Sequence, residues 1–313
     1  MDSSAIYDQV NERYGSVTRS TTGKHEHLAA KAFGYTEDEL AAIPDGANLG
    51  LSCGNPFPLA NLRQGECVID FGSGAGFDVF TAARRVGPTG KAIGVDMNKN
   101  MIAKAQANAS RVTETASNTE FVEAAITAVP LPDNTADCII SNCVINLVPA
   151  SEKQQAFNEM FRLLKPGGRL AISDILAKRE LTEEMRRNMA LYVGCIAGAG
   201  LASDYRTFLT TAGFHDVFII GGKVDLNVYL STVDGQASCC GDTKTSSGTG
   251  KPSACGQSPA SMSGATDDSA RLDIGDLNDW AGSFQIYAVK PSSPENPPTV
   301  NRCSLLGRTN QAS

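Results

Sequence analysis

Nine cysteines are spread along a chain of 313 residues, and their placement suggests chemistry more than their number does. Cys53 lies in Leu51-Ser52-Cys53-Gly54-Asn55-Pro56, a turn-rich loop. Cys143 lies in Ser141-Asn142-Cys143-Val144-Ile145-Asn146-Leu147, and Cys195 in Leu191-Tyr192-Val193-Gly194-Cys195-Ile196-Ala197-Gly198. A thiolate is a soft donor, and three of them converging from separate loops suit a thiophilic centre. Zinc would compete for such a cluster, but no Cys-x-x-Cys and no His pair at finger spacing accompanies it, so no resident metal is expected. His25 and His27 alternate in a polar segment and read as surface residues. Cys67 and Cys138, inside strand-like runs, read as small apolar filler.

A second chemical feature is Asp70-Phe71-Gly72-Ser73-Gly74-Ala75-Gly76. Glycines between a strand and a helix let backbone approach a ligand closely, and the helix N-terminus favours an anionic group. The dinucleotide fingerprint requires a third glycine where this chain has Phe77. The spacing found, Gly-x-Gly-x-Gly with an acidic residue two positions ahead, resembles the first motif of class I S-adenosylmethionine-dependent methyltransferases. Asp96, closing Gly94-Val95-Asp96-Met97, is placed to accept hydrogen bonds from a ribose diol. Leu164-Lys165-Pro166-Gly167-Gly168-Arg169-Leu170 before a later strand is a further habit of these methyltransferases. The resemblance implies a cofactor set of Asp70, Gly72, Ser73, Gly74, Gly76, Asp96, Met97, Ile126 and Asn142.

The elements that must position these residues follow from periodicity. Strands are expected at Cys67–Phe71, Lys91–Asp96, 121–126, 137–142 and 169–175, with helices at Phe77–Val86 and Lys99–Ala109. Another helix should start at the capping box Ser151-x-x-Gln154 and end at Lys165-Pro166-Gly167-Gly168. Later helices are expected at 182–194 and at 204–212, the second closed by Gly213, and strands at 214–221 and 284–290. Upstream, Thr36-x-x-Glu39 caps a short helix. Strand–helix alternation predicts an α/β, doubly wound, mostly parallel seven-stranded sheet with helices on both faces, a Rossmann-like architecture. In such a sheet ligands bind outside the carboxyl ends of the strands, which is where Cys143 stands.

The expected organisation is an N-terminal segment and cofactor cover (1–64), a core (65–232), a flexible insertion carrying Cys239-Cys240 (233–279), a returning core strand (280–291) and a disordered tail (292–313). The insertion is rich in Ser, Gly, Thr and Pro and cannot bury enough apolar surface to offset its ordering entropy. A net charge of −7 gives no attraction to nucleic acid or to an anionic membrane, so neither is expected as a partner. No apolar run reaches the roughly 18 residues of a membrane span, and the N-terminus shows no signal sequence. Widely spaced cysteines of odd count are unlike a secreted disulfide scaffold, which points to the reducing cytoplasm.

The segments 141–147 and 192–198 are similar to those of the arsenite methyltransferase family. The resemblance spans roughly residues 47–220 and returns at 280–291. It implies that Cys143 and Cys195 hold trivalent arsenic, with Cys53 as the third thiol, and that methyl groups pass from S-adenosylmethionine to give mono- and dimethylated arsenic, a detoxification. The arsenic lone pair attacks the sulfonium methyl in line, with no metal or general base. Thiols must then restore trivalency, whether Cys53 with a partner or an external reductant, glutathione or thioredoxin. Many relatives carry a further N-terminal cysteine, and residues 1–52 contain none. Two other readings remain open at the sequence level: a methyltransferase of an ordinary small metabolite with structural cysteines, and a non-catalytic, thiol-based arsenic-binding protein.

Overall fold

Apolar runs and amphipathic stretches alternate through a seven-stranded sheet in the computed structural model, which describes residues 2–17, 24–112, 117–222, 224–229 and 275–292. Helices α1 (Ser3–Val17), α2 (Lys24–Ala32), α3 (Glu37–Ala41) and α4 (Phe57–Ala60) precede the sheet. Then follow β1 (Cys67–Phe71), α5 (Phe77–Val86), β2 (Lys91–Asp96), α6 (Lys99–Ala109), β3 (Thr119–Glu123) and β4 (Ala136–Asn142). The second half contributes α7 (Lys153–Leu163), β5 (Leu164–Ala177), α8 (Glu183–Arg187), α9 (Met189–Val193), α10 (Ala202–Ala212), β6 (His215–Gly221) and β7 (Ala281–Val289).

The strand order is β3-β2-β1-β4-β5-β7-β6. Pairs among β1 to β5 are parallel, and β7 runs antiparallel to both β5 and β6. Parallel strands need crossovers, which here cover both faces of the central sheet, so β1 and β4 are apolar on both sides. The antiparallel edge strand β6, by contrast, leaves Phe218 and Ile220 exposed. Ile69 and Phe71 pack with Phe157 and Met160 of α7 and Leu209 of α10. Val68, one residue out of phase, packs instead with Phe57 of α4 and Val79, Ala83 and Val86 of α5. The doubly wound sheet expected from the sequence is therefore the one present.

Local chemistry sets the ends. The capping box of α3 forms as expected, with Thr36 accepting from the Glu39 amide and Glu39 accepting from Thr36. Asn98 caps α6, and Gly213 closes α10 at φ +104°. The expected box at Ser151 does not form: α7 starts at Lys153 with Glu152 before it and no side-chain cap. The buried Lys153 ammonium reaches back to the Ile145 carbonyl (2.5 Å) and fixes the helix start instead. The single helix expected over 182–194 is two, because Asn188 leaves the helical region and its Oδ1 accepts from the Leu191 amide. The third strand stops at Glu123, three residues early, which releases Ile126 from the sheet. Of the expected insertion, Leu277 is buried and packs in the core, while Cys239, Cys240 and the rest of 233–274 lie outside the described residues, as do 293–313.

Candidate active site

The winding reverses between β1 and β4, so the connections leaving their carboxyl ends, to α5 and α7, run to opposite faces of the sheet and leave a crevice. A cleft of about 1060 Å³, open mouth included, lies there. Its walls include the loop after β1, Asp96 and Met97 at the end of β2, Ile126, and Asn142 and Cys143 at the end of β4. Helix α1 closes it with Tyr7, Val10, Asn11 and Tyr14.

The loop Gly72–Gly76 spends four of its amides within the protein. Gly72 and Ser73 donate to the Val95 carbonyl (2.8 and 3.0 Å), Gly74 to Asp96 Oδ2 (2.9 Å) and Gly76 to the Ser73 carbonyl (2.9 Å). A loop that cradles a pyrophosphate must leave such groups for the ligand. Here four of the loop's amides are taken up by the protein, which leaves the Ala75 amide and the uncapped N-terminus of α5 as the donors nearest the cleft. Gly72, at φ +77°, is required because a β-carbon would collide with Val144 at 2.3 Å. Gly76 does not reach the cleft. It turns the chain into α5 at φ +94°, against the rings of Phe80 and Phe121.

The cleft is instead suited to a cation. Asp70, Asp78 and Asp96 all line it. Burial, then the charges of Asp78 and Asp96, raise the Asp70 pKa well above its ordinary value. Burial raises Asp78 to about 6, against hydrogen bonds from Tyr35 (2.7 Å) and Asn142 (3.2 Å) that lower it. A sulfonium with an α-ammonium group supplies the missing positive charge. Asp96 also offers carboxylate oxygens to a diol, and Met97, Met101 and Ile126 offer an apolar surface to an aromatic base. The Ser73 hydroxyl is buried in this wall with no hydrogen-bond partner in the protein. On these grounds the residues present fit S-adenosylmethionine.

Cys53, Cys143 and Cys195 come together beside the cleft, their sulfurs within 4.8 Å of one another and all three buried. Among the described residues they form the one group of His, Cys, Asp and Glu side chains arranged to hold a metal-like centre. Cys143 lines the cleft, whereas Cys53 and Cys195 stand behind it. Cys53 and Cys143, 90 residues apart in sequence, are joined as a disulfide. Cys195 keeps its thiol, which burial, then the Asp174 charge, push up to about 12. That thiol donates to the Cys143 carbonyl (3.1 Å), and the Tyr14 hydroxyl lies 3.8 Å from its sulfur while donating to the Val193 carbonyl (3.1 Å).

Asn142 acts differently from a simple cofactor contact. Its Oδ1 accepts from the Cys53 amide (3.1 Å) and its Nδ2 donates to the Gly54 carbonyl (2.9 Å), so it bolts the Cys53 loop to the end of β4. Ser283 of β7 donates to the Cys53 carbonyl (2.8 Å) from the other side. Of the expected thiols outside the site, Cys138 is fully buried, but Cys67 heads β1 and is only partly so. His27 is exposed and paired with Glu37 (2.7 Å). The contribution of α1 was not foreseen beyond a general cover, although Ile6, Val10 and Tyr14 recur at helical spacing and mark a buried stripe.

Residues 62–213 match the family model of a methyltransferase domain. With a sheet of this order, that part of the chain has the class I methyltransferase fold. Its curated relatives include arsenite methyltransferases and, over a shorter stretch of 113 residues at 38% identity, ubiquinone/menaquinone biosynthesis C-methyltransferases from Salmonella. The chain is 44% identical over 194 residues to an arsenite methyltransferase from Halobacterium salinarum, covering 62% of this chain and 49% of that protein. It is 38% identical over 220 residues to one from Aquipseudomonas alcaligenes, covering 67% and 62%. The chain thus spans about half to three fifths of the length of these relatives. An arsenic(III) S-adenosylmethionine methyltransferase from Chlamydomonas reinhardtii shares the fold, with a TM-score of 0.54 at 24% identity over 86% of this chain and 74% of that one. No helix among the described residues is long and apolar enough to cross a membrane.

Proposed function

We propose that this protein methylates trivalent arsenic with S-adenosylmethionine, holding the arsenic on Cys53, Cys143 and Cys195. The observation that carries this reading is the convergence of three buried sulfurs within 4.8 Å at the wall of a cation-favouring cleft. Its resemblance to curated arsenite methyltransferases supports the same substrate.

When bound, the cofactor supplies an electrophilic methyl group on a sulfonium. Asp96 accepts from the ribose hydroxyls, Met97 and Ile126 flank the base, and Asp70 and Asp78 favour the positive end. Helix α1 covers the cleft and limits water. Arsenous acid condenses with three thiols, each As–O bond replaced by As–S as water departs with the thiol proton. The arsenic lone pair is then held in the protein wall facing the cleft, so the encounter is effectively unimolecular. After methyl transfer the arsenic is pentavalent. Two of its thiolate ligands leave joined as a disulfide, which returns two electrons to the arsenic. A water molecule takes the vacated position and releases a proton, leaving neutral methylated arsenic(III) on the third thiolate. The Cys53–Cys143 bond is the oxidised form such a step leaves behind, and a thiol reductant, glutathione or thioredoxin, reopens it. That requirement fits a reducing cytoplasm.

The test is incubation of reduced protein with arsenite, labelled cofactor and glutathione, the arsenic species being separated afterwards. Methylated arsenic and cofactor turnover that depends on arsenite are expected. Turnover without arsenite would favour an ordinary-metabolite enzyme, and arsenite binding without turnover a non-catalytic arsenic binder. Either result overturns the proposal.

A further inference from the structure

The turns that carry Cys143 and Cys195 are tied together by a side chain that the chemistry above leaves unused. Asn146, fully buried, stands three residues beyond Cys143 in the single helical turn Ile145–Leu147. The two hydrogens on its Nδ2 are shared among three acceptors, the Cys195 carbonyl (2.9 Å), Asp174 Oδ1 (3.1 Å) and the Ile175 carbonyl (2.5 Å). Its Oδ1 accepts from the Tyr205 hydroxyl (2.9 Å). Acceptors on one side and a donor on the other fix which way the amide points, because a flipped amide would set its oxygen against three acceptors. Asp174 and Tyr205 are themselves fully buried, so the orientation cannot relax into water. The chain after Cys195 also wraps tightly here: a β-carbon on Gly198 would fall 1.9 Å from the Asn146 carbonyl oxygen.

A second tie between the two turns is the Cys195 thiol donating to the Cys143 carbonyl (3.1 Å). That bond needs the thiol proton, and it disappears once the sulfur coordinates arsenic. The Asn146 bond to the Cys195 carbonyl does not depend on the state of any sulfur. Both cysteines moreover sit at positive φ, +61° and +65°, so each turn needs outside support to keep its sulfur in place.

We propose that Asn146 is a positioning residue that holds the Cys143 and Cys195 turns in register, so that both sulfurs coordinate one trivalent arsenic. The inference rests on the arsenic reading above and extends it from the ligands to the group that sets their spacing. Its effect is pre-organisation: a chelate whose arms are already placed loses less freedom on binding. Attack by a single sulfur does not need that placement, and the two behaviours can be separated.

The experiment uses the full chain, reduced and kept anaerobic, as wild type, Asn146→Ala and Tyr205→Phe. Arsenite binding is measured by equilibrium dialysis, S-adenosylmethionine binding by calorimetry, and single-thiol reactivity by the rate of alkylation with iodoacetamide. Asn146→Ala should weaken arsenite binding about tenfold or more, the scale of one lost buried hydrogen bond, and change cofactor affinity less than about twofold. Alkylation should not slow. Tyr205→Phe keeps the ring packed on Phe157 and Phe208 and should weaken arsenite binding in the same direction by about threefold. It decides the matter if Asn146→Ala does not fold. Wild-type arsenite affinity in the folded variants would overturn the proposal, and so would arsenite and cofactor affinities falling together. A wild-type protein that binds no arsenite would instead overturn the functional reading on which it rests.

Discussion

Cys143 and Cys195 occupy the left-handed region of backbone space, which costs a residue with a β-carbon about 1–2 kcal/mol. Serine has the same branching, so Cys143→Ser and Cys195→Ser should keep these turns and lose only the soft donor. With the wild type reduced, so that no Cys53–Cys143 bond adds to its stability, both should lose methylation of arsenite and of monomethylarsenite while unfolding at the wild-type urea concentration, read by arsenic speciation and denaturation. Cys53→Ser should lose inorganic arsenite but retain monomethylarsenite, because an arsenic that already carries a methyl needs one thiolate fewer. Near-normal activity in the Cys143 or Cys195 variant would remove these residues from the substrate. The remaining thiols in the core provide the contrast. Cys138 is fully buried and its thiol is pushed up to about 12 by that burial. Cys138→Ser should therefore cost about 1–3 kcal/mol of stability, as a hydroxyl enters a dry layer, without touching the chemistry. Cys67 is partly exposed at the head of β1, and its replacement should cost within about 0.5 kcal/mol.

The end of β2 shows how elements share one carboxylate. Asp96 accepts from Gly74 of the loop (2.9 Å) and from Asn98 (2.8 Å), and Asn98 in turn caps α6 and donates to the Asn11 carbonyl of α1 (3.0 Å). Asp96→Ala should weaken S-adenosylmethionine binding by about 1.5–3 kcal/mol, the scale of a charged hydrogen bond. Unchanged affinity by calorimetry in a folded variant would dissociate Asp96 from the ligand. The strands around it were legible in the sequence, because parallel strands buried on both faces read as continuous apolar runs; β1 and β2 were bounded to the residue. Periodicity could not show where α7 begins, since a buried lysine rather than a cap sets it, nor the break at Asn188. The thiol cluster was only partly legible. Cys143 follows from its place at the end of β4, but the seat of Cys53 depends on Asn142 and Ser283, 89 and 230 residues away. The Asn146, Asp174 and Tyr205 network has no local pattern, because its members come from three elements brought together only by the sheet.

Across the whole molecule, acidic groups gather where the cleft needs them, and this makes cofactor binding and stability respond to pH together. The folded-state pKa of Asp78 is raised from 3.8 to about 6, chiefly by burial, and those of Asp70 and Asp96 are raised by burial as well. A raised folded pKa means the folded state holds more protons than the unfolded chain between the two values. The stability that Asp78 contributes is fully present below about 3.8 and is lost as pH rises through about 6, and Asp70 and Asp96 act in the same direction. Glu39 and Glu66 act in the opposite sense. Burial raises their pKa values, but hydrogen bonds from the Thr36 amide and Arg85 to Glu39, and from Arg169 to Glu66, outweigh it and lower them, so their contribution is lost on acidification. The melting temperature of the free protein therefore mixes the two trends, whereas the increment produced by saturating S-adenosylmethionine isolates the cleft. A ligand of net positive charge prefers ionised Asp70 and Asp78, so binding should strengthen as pH rises from about 5 to about 7.5 and should release protons on the acid side. The increment in melting temperature should shrink correspondingly below about pH 6. Proton release is read directly by calorimetry in two buffers of different ionisation enthalpy. Asp78→Asn, which keeps the shape and removes the charge, should flatten the profile and lower affinity at neutral pH. A dissociation constant that stays level from about pH 5 to 7.5 in the wild type would show that the buried carboxylates do not sense the ligand's charge, and the cation-binding account of the cleft would fall with it.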